Sequence, residues 1–219
     1  SQLRFKPATR VENACATGSA AIHQGMNAIA AKRARHVLVV GAEKMTETPN
    51  VADVLIRASY LKEEGFRVVG GAGGGGRIAQ AYFQRYGDKS DALARIAAKN
   101  HKNGASNKLA QIQKDLGYEF CRTVGDKNPL VAAPLRRTDC SLVSDGAAAL
   151  VLTDVETGLQ AKKAVVFRAA RHVNDFLPMS KRDIVAFEGP ALAWKRALAS
   201  AGVGLDDLSF AEVHDCFTI

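Results

Sequence analysis

The sequence predicts an α/β protein in which helices are layered on mixed sheets, and three observations carry that prediction. His36 to Ala42 (HVLVVGA) is a continuous apolar run led by β-branched residues, the pattern of a strand buried on both faces in a sheet covered by helices. Before it, from Ala16 to Arg33, Ile22, Met26 and Ile29 recur at helical spacing, while Gly18, Ala21, Gly25 and Ala28 form a second stripe of small side chains that lets a neighbouring backbone come close. Strand and helix signals alternate again in the last third of the chain, as they do in layered α/β folds.

Taken in order, the extended residues before Cys15, the helix and the strand form a strand–helix–strand pattern, which predicts a right-handed crossover. From Glu43 to about Leu135 the chain turns polar, charged and glycine-rich and reads as an inserted region. Two helices are predicted within it: Arg77 to Tyr86, and Asp91 to Asn103 with Ser90 as its cap and Gly104 as its stop. Cys140 to Val143 and Ala147 to Thr153 read as short strands joined by a Ser144-Asp145-Gly146 turn. A strand at Ala164 to Ala169, a helix from Pro190 to Ala201 that stops at Gly202, and a last strand at Leu208 to Val213 complete the pattern.

With 47% hydrophobic and 24% charged residues over 219 positions, the composition is that of a folded, soluble globular protein with a sizeable core. The longest apolar runs, such as Gly146 to Leu152, are too short to span a bilayer, and Ser1 to Arg10 lacks the apolar centre of a secretory signal. Cys15, Cys121, Cys140 and Cys216 are irregularly spaced, unlike a disulfide framework or a paired metal site, so a reducing compartment is expected. The net charge of +8 is concentrated between Tyr60 and Arg137, where 14 Lys and Arg stand against 7 Asp and Glu. Such a segment suits an anionic ligand, whether nucleic acid, membrane phosphate or a phosphorylated cofactor; the alternative is a solvated face with no partner.

Three stretches carry candidate chemistry. In VENACATGSAAIHQG, Cys15 sits at or just before the first turn of the predicted helix, where unpaired N–H groups and the positive dipole end favour a thiolate. Small neighbours permit a sharp turn and leave room for a substrate carbonyl, and the N–H of Cys15 is placed to donate to an oxyanion. A small buried thiol with no chemistry is the competing reading. In Glu212-Val213-His214-Asp215-Cys216-Phe217, an extended run delivers an imidazole and a thiol at its carboxyl end, with His214 and Cys216 on one face. His214 is either catalytic or a hydrogen-bonded structural histidine, and no further ligands are spaced for zinc. The run Gly70 to Gly76 satisfies G-x-G-x-x-G trivially and reads as a hinge or surface loop instead of a dinucleotide site. Among the other histidines, only His172 is left open as a functional candidate.

In this order and at these separations, VENACATGSAAIHQG, HVLVVGAEKM, SDGAAALVL and HDCF resemble the thiolase superfamily over essentially the whole chain. HDCF points to the branch of sterol-carrier-protein-type thiolases and related acetyl-CoA acetyltransferases. The resemblance implies an N-terminal thiolase half at 1–162, with a coenzyme A-binding loop region at about 44–137, and the beginning of a C-terminal half at 163–219. It implies an acyl-CoA C-acyltransferase in which Cys15 forms the acyl thioester and His214 lines an oxyanion site. Coenzyme A or acyl-CoA would be substrate, with no permanently bound cofactor and no metal. The protein would be a homodimer or homotetramer of lipid metabolism, cytoplasmic, or peroxisomal or mitochondrial in a eukaryote, with no nucleic acid partner. The family's Gly-His-Pro histidine and C-x-G cysteine do not occur in this sequence, so it is expected to be the middle of a longer enzyme, inactive alone. A non-catalytic subunit that binds CoA thioesters or a partner protein is the alternative, and a nucleic-acid-binding module, resting on the basic segment, a third.

Overall fold

A computed structural model describes residues 4–57 and 72–219. It divides into two compact units: residues 1–44, 145–173 and 192–205 form the first, and 45–144, 174–191 and 206–219 the second.

The first unit is built on helix α1 (Thr17–Ala30) and an antiparallel pair, β1 (His36–Glu43) with β4 (Gly146–Thr153), in register from His36 opposite Thr153 to Glu43 opposite Gly146. One face of the pair carries Val37, Val39 and Leu152, and α1 seats on them through Gly25. A Cβ there would stand 2.7 Å from Leu152 Cδ1 and 3.2 Å from Val37 Cγ1. Of the predicted small-residue stripe, Gly25 is thus the position that admits the close approach, whereas Gly18 faces open space.

Two expectations need correction here. The β1 run is not buried on both faces: Leu38 is 48% and Val40 58% exposed, because alternate residues point away from α1. Nor is there a parallel crossover. Among the described residues no strand precedes α1, and β1 takes β4 as an antiparallel neighbour, which also removes β4 from the predicted hairpin with Cys140 to Val143. Helix α6 (Val155–Leu159) follows, capped by Asp154, whose carboxylate accepts the Thr157 N–H at 2.8 Å.

The second unit holds α2 (Val51–Ile56), α3 (Ala72–Tyr86), α4 (Ser90–Ser106), α5 (Gly117–Arg122) and the short pair β2 (Leu130–Ala132) and β3 (Leu135–Arg136). Its core gathers Ala79, Leu93 and Leu135, with Phe83, Cys140, Phe217 and Ile219 against them; a second cluster joins Ala94, Ala97 and Cys121. Residues 73–76 of the glycine run are not a loop: they are the opening of α3, where Gly75 and Gly76 are buried. Gly70 and Gly71 lie outside the described residues. Ser90 is the first residue of α4 instead of its cap, its N–H bound to Asp88 Oδ1, and Gly104 lies inside the helix.

Beneath this core, Arg136 and Asp139 form a buried pair at 2.8 Å. The guanidinium also donates to the Arg122 and Ser90 carbonyls, and Asp139 accepts the Thr218 hydroxyl at 2.8 Å. Asn128, 2% exposed, donates to the carbonyls of Phe120, Cys121 and Thr123 and accepts the Thr138 N–H. It closes the carboxyl end of α5, whose last carbonyls have no partner within the helix.

Helix α7 (Glu188–Ala201) begins two residues before the predicted start and ends, as predicted, ahead of Gly202, which has φ +65°. The strands expected at Ala164 to Ala169 and Leu208 to Val213 do not form: among the described residues neither has a ladder partner, and Val165 and Phe210 are 87% and 80% exposed.

Candidate active site

Cys15 lies in the first unit, in a 3-10 turn (Ala14–Ala16) that runs directly into α1. The turn is tight enough to force Ala14 to φ +45°, a left-handed conformation that costs a residue with a Cβ about 1–2 kcal/mol. Local side chains hold it. Glu12 Oε1 accepts the Ala14 N–H at 2.8 Å; the Thr17 hydroxyl accepts the Asn13 N–H at 2.8 Å and donates to the Ala14 carbonyl at 2.7 Å. Cys15 itself is exposed. A Cβ on Gly18, one turn on, would meet nothing within 4 Å. The result is a sharp elbow that carries an exposed cysteine, with open space at Gly18 and the amino end of a 14-residue helix next to it.

The other cysteines differ in chemistry. Cys121 is fully buried, and burial raises its thiol pKa; Cys140 is pushed up to about 11 by burial, with Asp139 and Cys216 adding to the effect. Both remain thiols at neutral pH, poor nucleophiles by comparison with an exposed sulfur at a helix start.

His214 lies in the second unit and is exposed. The residues after it anchor its segment. Asp215 accepts the Asn100 side-chain N–H from α4 at 2.7 Å, the Cys216 carbonyl accepts the Ser141 N–H at 2.9 Å, and Phe217 bridges Cys140. The Phe217 ring lies over Gly75 of α3, and Thr218 ties to Asp139. Cys216 is thus engaged with Ser141, its sulfur 3.8 Å from that hydroxyl. Glu12 and Asn100 were not singled out from sequence, which marked Thr17 only as a small neighbour of Cys15 and Gly75 only as part of the glycine run.

Among the described residues no cluster of three or more His, Cys, Asp or Glu is arranged to hold a metal ion, and no helix is long and apolar enough to cross a membrane. The charge surplus of the insertion is partly neutralised: Arg85 pairs with Asp183, Arg122 with Asp91 and Arg136 with Asp139. Lys99, Lys102, Lys108, Lys114 and Lys127 remain exposed. Residues 60–71 of the basic segment lie outside the described residues.

A cysteine-bearing elbow leading into a helix on a sheet places the chain among α/β proteins, and solved structures give the fold as thiolase-like. The chain superposes on the Ltp2-ChsH2(DUF35) aldolase with a TM-score of 0.79 at 22% identity, covering 92% of this chain and 53% of that one. On a monomeric SCP2-thiolase like protein type 1 from Mycobacterium smegmatis the TM-score is 0.72 at 23% identity, covering 90% and 42%. Residues 3–117 match the family described as thiolase, N-terminal domain, and the chain belongs to the thiolase family. Acetyl-CoA acetyltransferase of Methanothermobacter thermautotrophicus is 31% identical over 97% of this chain and 55% of its own length. Sterol carrier protein 2 of Oryctolagus cuniculus is 31% identical over 97% of this chain and 41% of its own. The chain therefore spans about half the length of the curated relatives it matches.

Proposed function

We propose that this chain carries the nucleophile of an acyl-CoA C-acyltransferase and that Cys15 is the residue acylated. The observation that supports this most directly is the Ala14 to Thr17 elbow, which holds an exposed Cys15 in a family member whose Cys121 and Cys140 are held as thiols. In this reading the Cys15 thiolate attacks the thioester carbonyl of an acyl-CoA. The carbonyl becomes a tetrahedral oxyanion, steadied by backbone N–H groups at the elbow. Its collapse breaks the carbon–sulfur bond to coenzyme A, whose thiolate takes up a proton as it departs, and leaves an acyl thioester on Cys15. Free coenzyme A, or the α-carbon of a second acyl-CoA after loss of a proton, then accepts the acyl group. His214 serves as a hydrogen-bond donor to an oxyanion, and the exposed lysines of the insertion attract the nucleotide phosphates. Coenzyme A is a substrate and no cofactor stays bound. A homodimer or homotetramer belongs to the same reading and is checked by native mass.

The test is to incubate the full-length protein with radiolabelled acetyl-CoA and map the label by peptide mass. A thioester on Cys15, abolished by Cys15→Ala and by Cys15→Ser, is the expected result. Label on another residue, or full turnover by Cys15→Ala, overturns the assignment; acyl-CoA binding without any thioester assigns the protein to a binding-only role.

A further inference from the structure

The first unit contains a concave feature that the proposed acyl transfer does not use. An open depression of about 670 Å³ is lined by His23 of α1, Arg171 and His172 of the segment before 173, and Arg196, Ala199 and Ser200 of α7. Arg196 and Ser200 are one turn apart and so share a face of α7. The His23 and His172 rings lie side by side, centroids 5.5 Å apart and planes tilted by 31°. Arg171 donates one guanidinium N–H to the Ser200 hydroxyl at 2.7 Å, one of its five donors. Among the described residues no carboxylate lines the depression, and neither Arg171 nor Arg196 is paired with one.

Two guanidiniums that share this depression without a counter-charge repel one another, and a concave wall focuses their field outward. The negative carboxyl end of α7 offsets part of this. That role, however, is already taken by Arg168, which donates to the Ala201 carbonyl at 2.9 Å, whereas the Arg171 contact goes to a hydroxyl. The helix end gives no reason for a histidine pair. We propose that the depression is a binding site for a phosphate-type oxyanion. The two arginine forks supply bidentate charge-assisted hydrogen bonds, the Ser200 hydroxyl holds Arg171 in place, and the imidazole N–H groups close the donor set. The volume leaves room for an organic group attached to the phosphate. This site is independent of the role proposed for Cys15.

The experiment follows the imidazole C–H signals of His23 and His172 by NMR in the full chain, assigned through His23→Asn and His172→Asn. Inorganic phosphate, pyrophosphate and AMP are titrated separately at constant ionic strength, with chloride as control. The expected result is a saturable shift of both signals, with affinity reduced about tenfold or more by Arg196→Gln and again by Arg171→Gln, two exposed positions at which an unchanged circular dichroism spectrum shows that the fold persists. Tighter binding of AMP assigns the ligand to phosphomonoesters, and equal affinity to the free anion. Shifts that track chloride without saturating, or saturable shifts that survive both arginine substitutions, overturn the site.

Discussion

The glycine run offers a test in which one chemical change, made at three adjacent positions, separates helix propensity from packing. Gly→Ala in a helix gains up to about 1 kcal/mol, because alanine loses less conformational freedom on folding. At Gly74 the new methyl meets nothing within 4 Å, so Gly74→Ala is expected to stabilise the fold by up to about 1 kcal/mol. At Gly75 the methyl would stand 2.6 to 2.8 Å from three ring atoms of Phe217, about 1 Å inside ordinary carbon contact. Phe217 is half-buried against the core and its backbone is bridged to Cys140, so retreat of the ring strains the HDCF segment; overpacking costs about 1–3 kcal/mol, for a net loss of up to about 2 kcal/mol. At Gly76 the obstacle is the β2 backbone, with Ala132 Cβ at 2.9 Å and its carbonyl oxygen at 3.0 Å. No rotamer relieves that clash, and the loss sits at the upper end of the same range. Urea midpoints and melting temperatures, which move by about 2–4 °C per kcal/mol at this size, read the series. Gly75→Ala and Gly76→Ala variants as stable as Gly74→Ala would refute the packing of α3 against Phe217 and Ala132.

Four further outcomes follow. Asn128→Ala removes the side-chain donor of the Phe120 and Thr123 carbonyls, one of two donors to the Cys121 carbonyl and the acceptor of the Thr138 N–H, and equilibrium denaturation should show a loss of about 2 kcal/mol. The Asp175 carboxyl is held below the usual carboxylate range by the Phe176 and Gly189 N–H groups and by Arg182; its contribution is whole above the unfolded pKa of about 4 and is lost as pH falls through the lower native value. Asp175→Asn should therefore flatten acid unfolding in that window, measured as urea midpoint against pH. Iodoacetamide at pH 8 followed by peptide mapping should modify Cys15 well before Cys121 and Cys140, whose thiols are raised in pKa. Asn100→Ala removes the hydrogen bond on Asp215 and, where His214 acts in acyl transfer, should lower kcat about tenfold with an unchanged melting temperature.

Local features were legible in the sequence, and partnered ones were not. Helix α1 and strand β1 were found nearly at their observed bounds because periodicity and β-branching are properties of a window, and Gly202 marked the end of α7 because its positive φ is a local requirement. Residues 164–169 and 208–213 have the same apolar content as a strand, but a strand exists only with a partner, and no window states whether one arrives. The glycine run failed for the opposite reason. Propensity read it as a loop, while Phe217 and Ala132, distant in sequence, are what make glycine necessary at 75 and 76.

The candidate site divides along the same line. Cys15 was legible because its elbow is made by residues 12–17, all within one turn of it. The anchoring of the His214 segment was not, because Asn100 and Asp215 meet across 115 positions and neither is unusual where it stands. The same argument makes the His23 and Arg196 cluster independent of composition. These residues come from three separate stretches, each unremarkable alone, and only their meeting in the first unit brings the two arginines to one depression. Such a concentration of positive charge, lacking a carboxylate, raises the energy of the folded state, so an anion that binds it stabilises the native state by mass action. Phosphate should therefore raise the unfolding midpoint of the protein but leave that of Arg171→Gln/Arg196→Gln where it is.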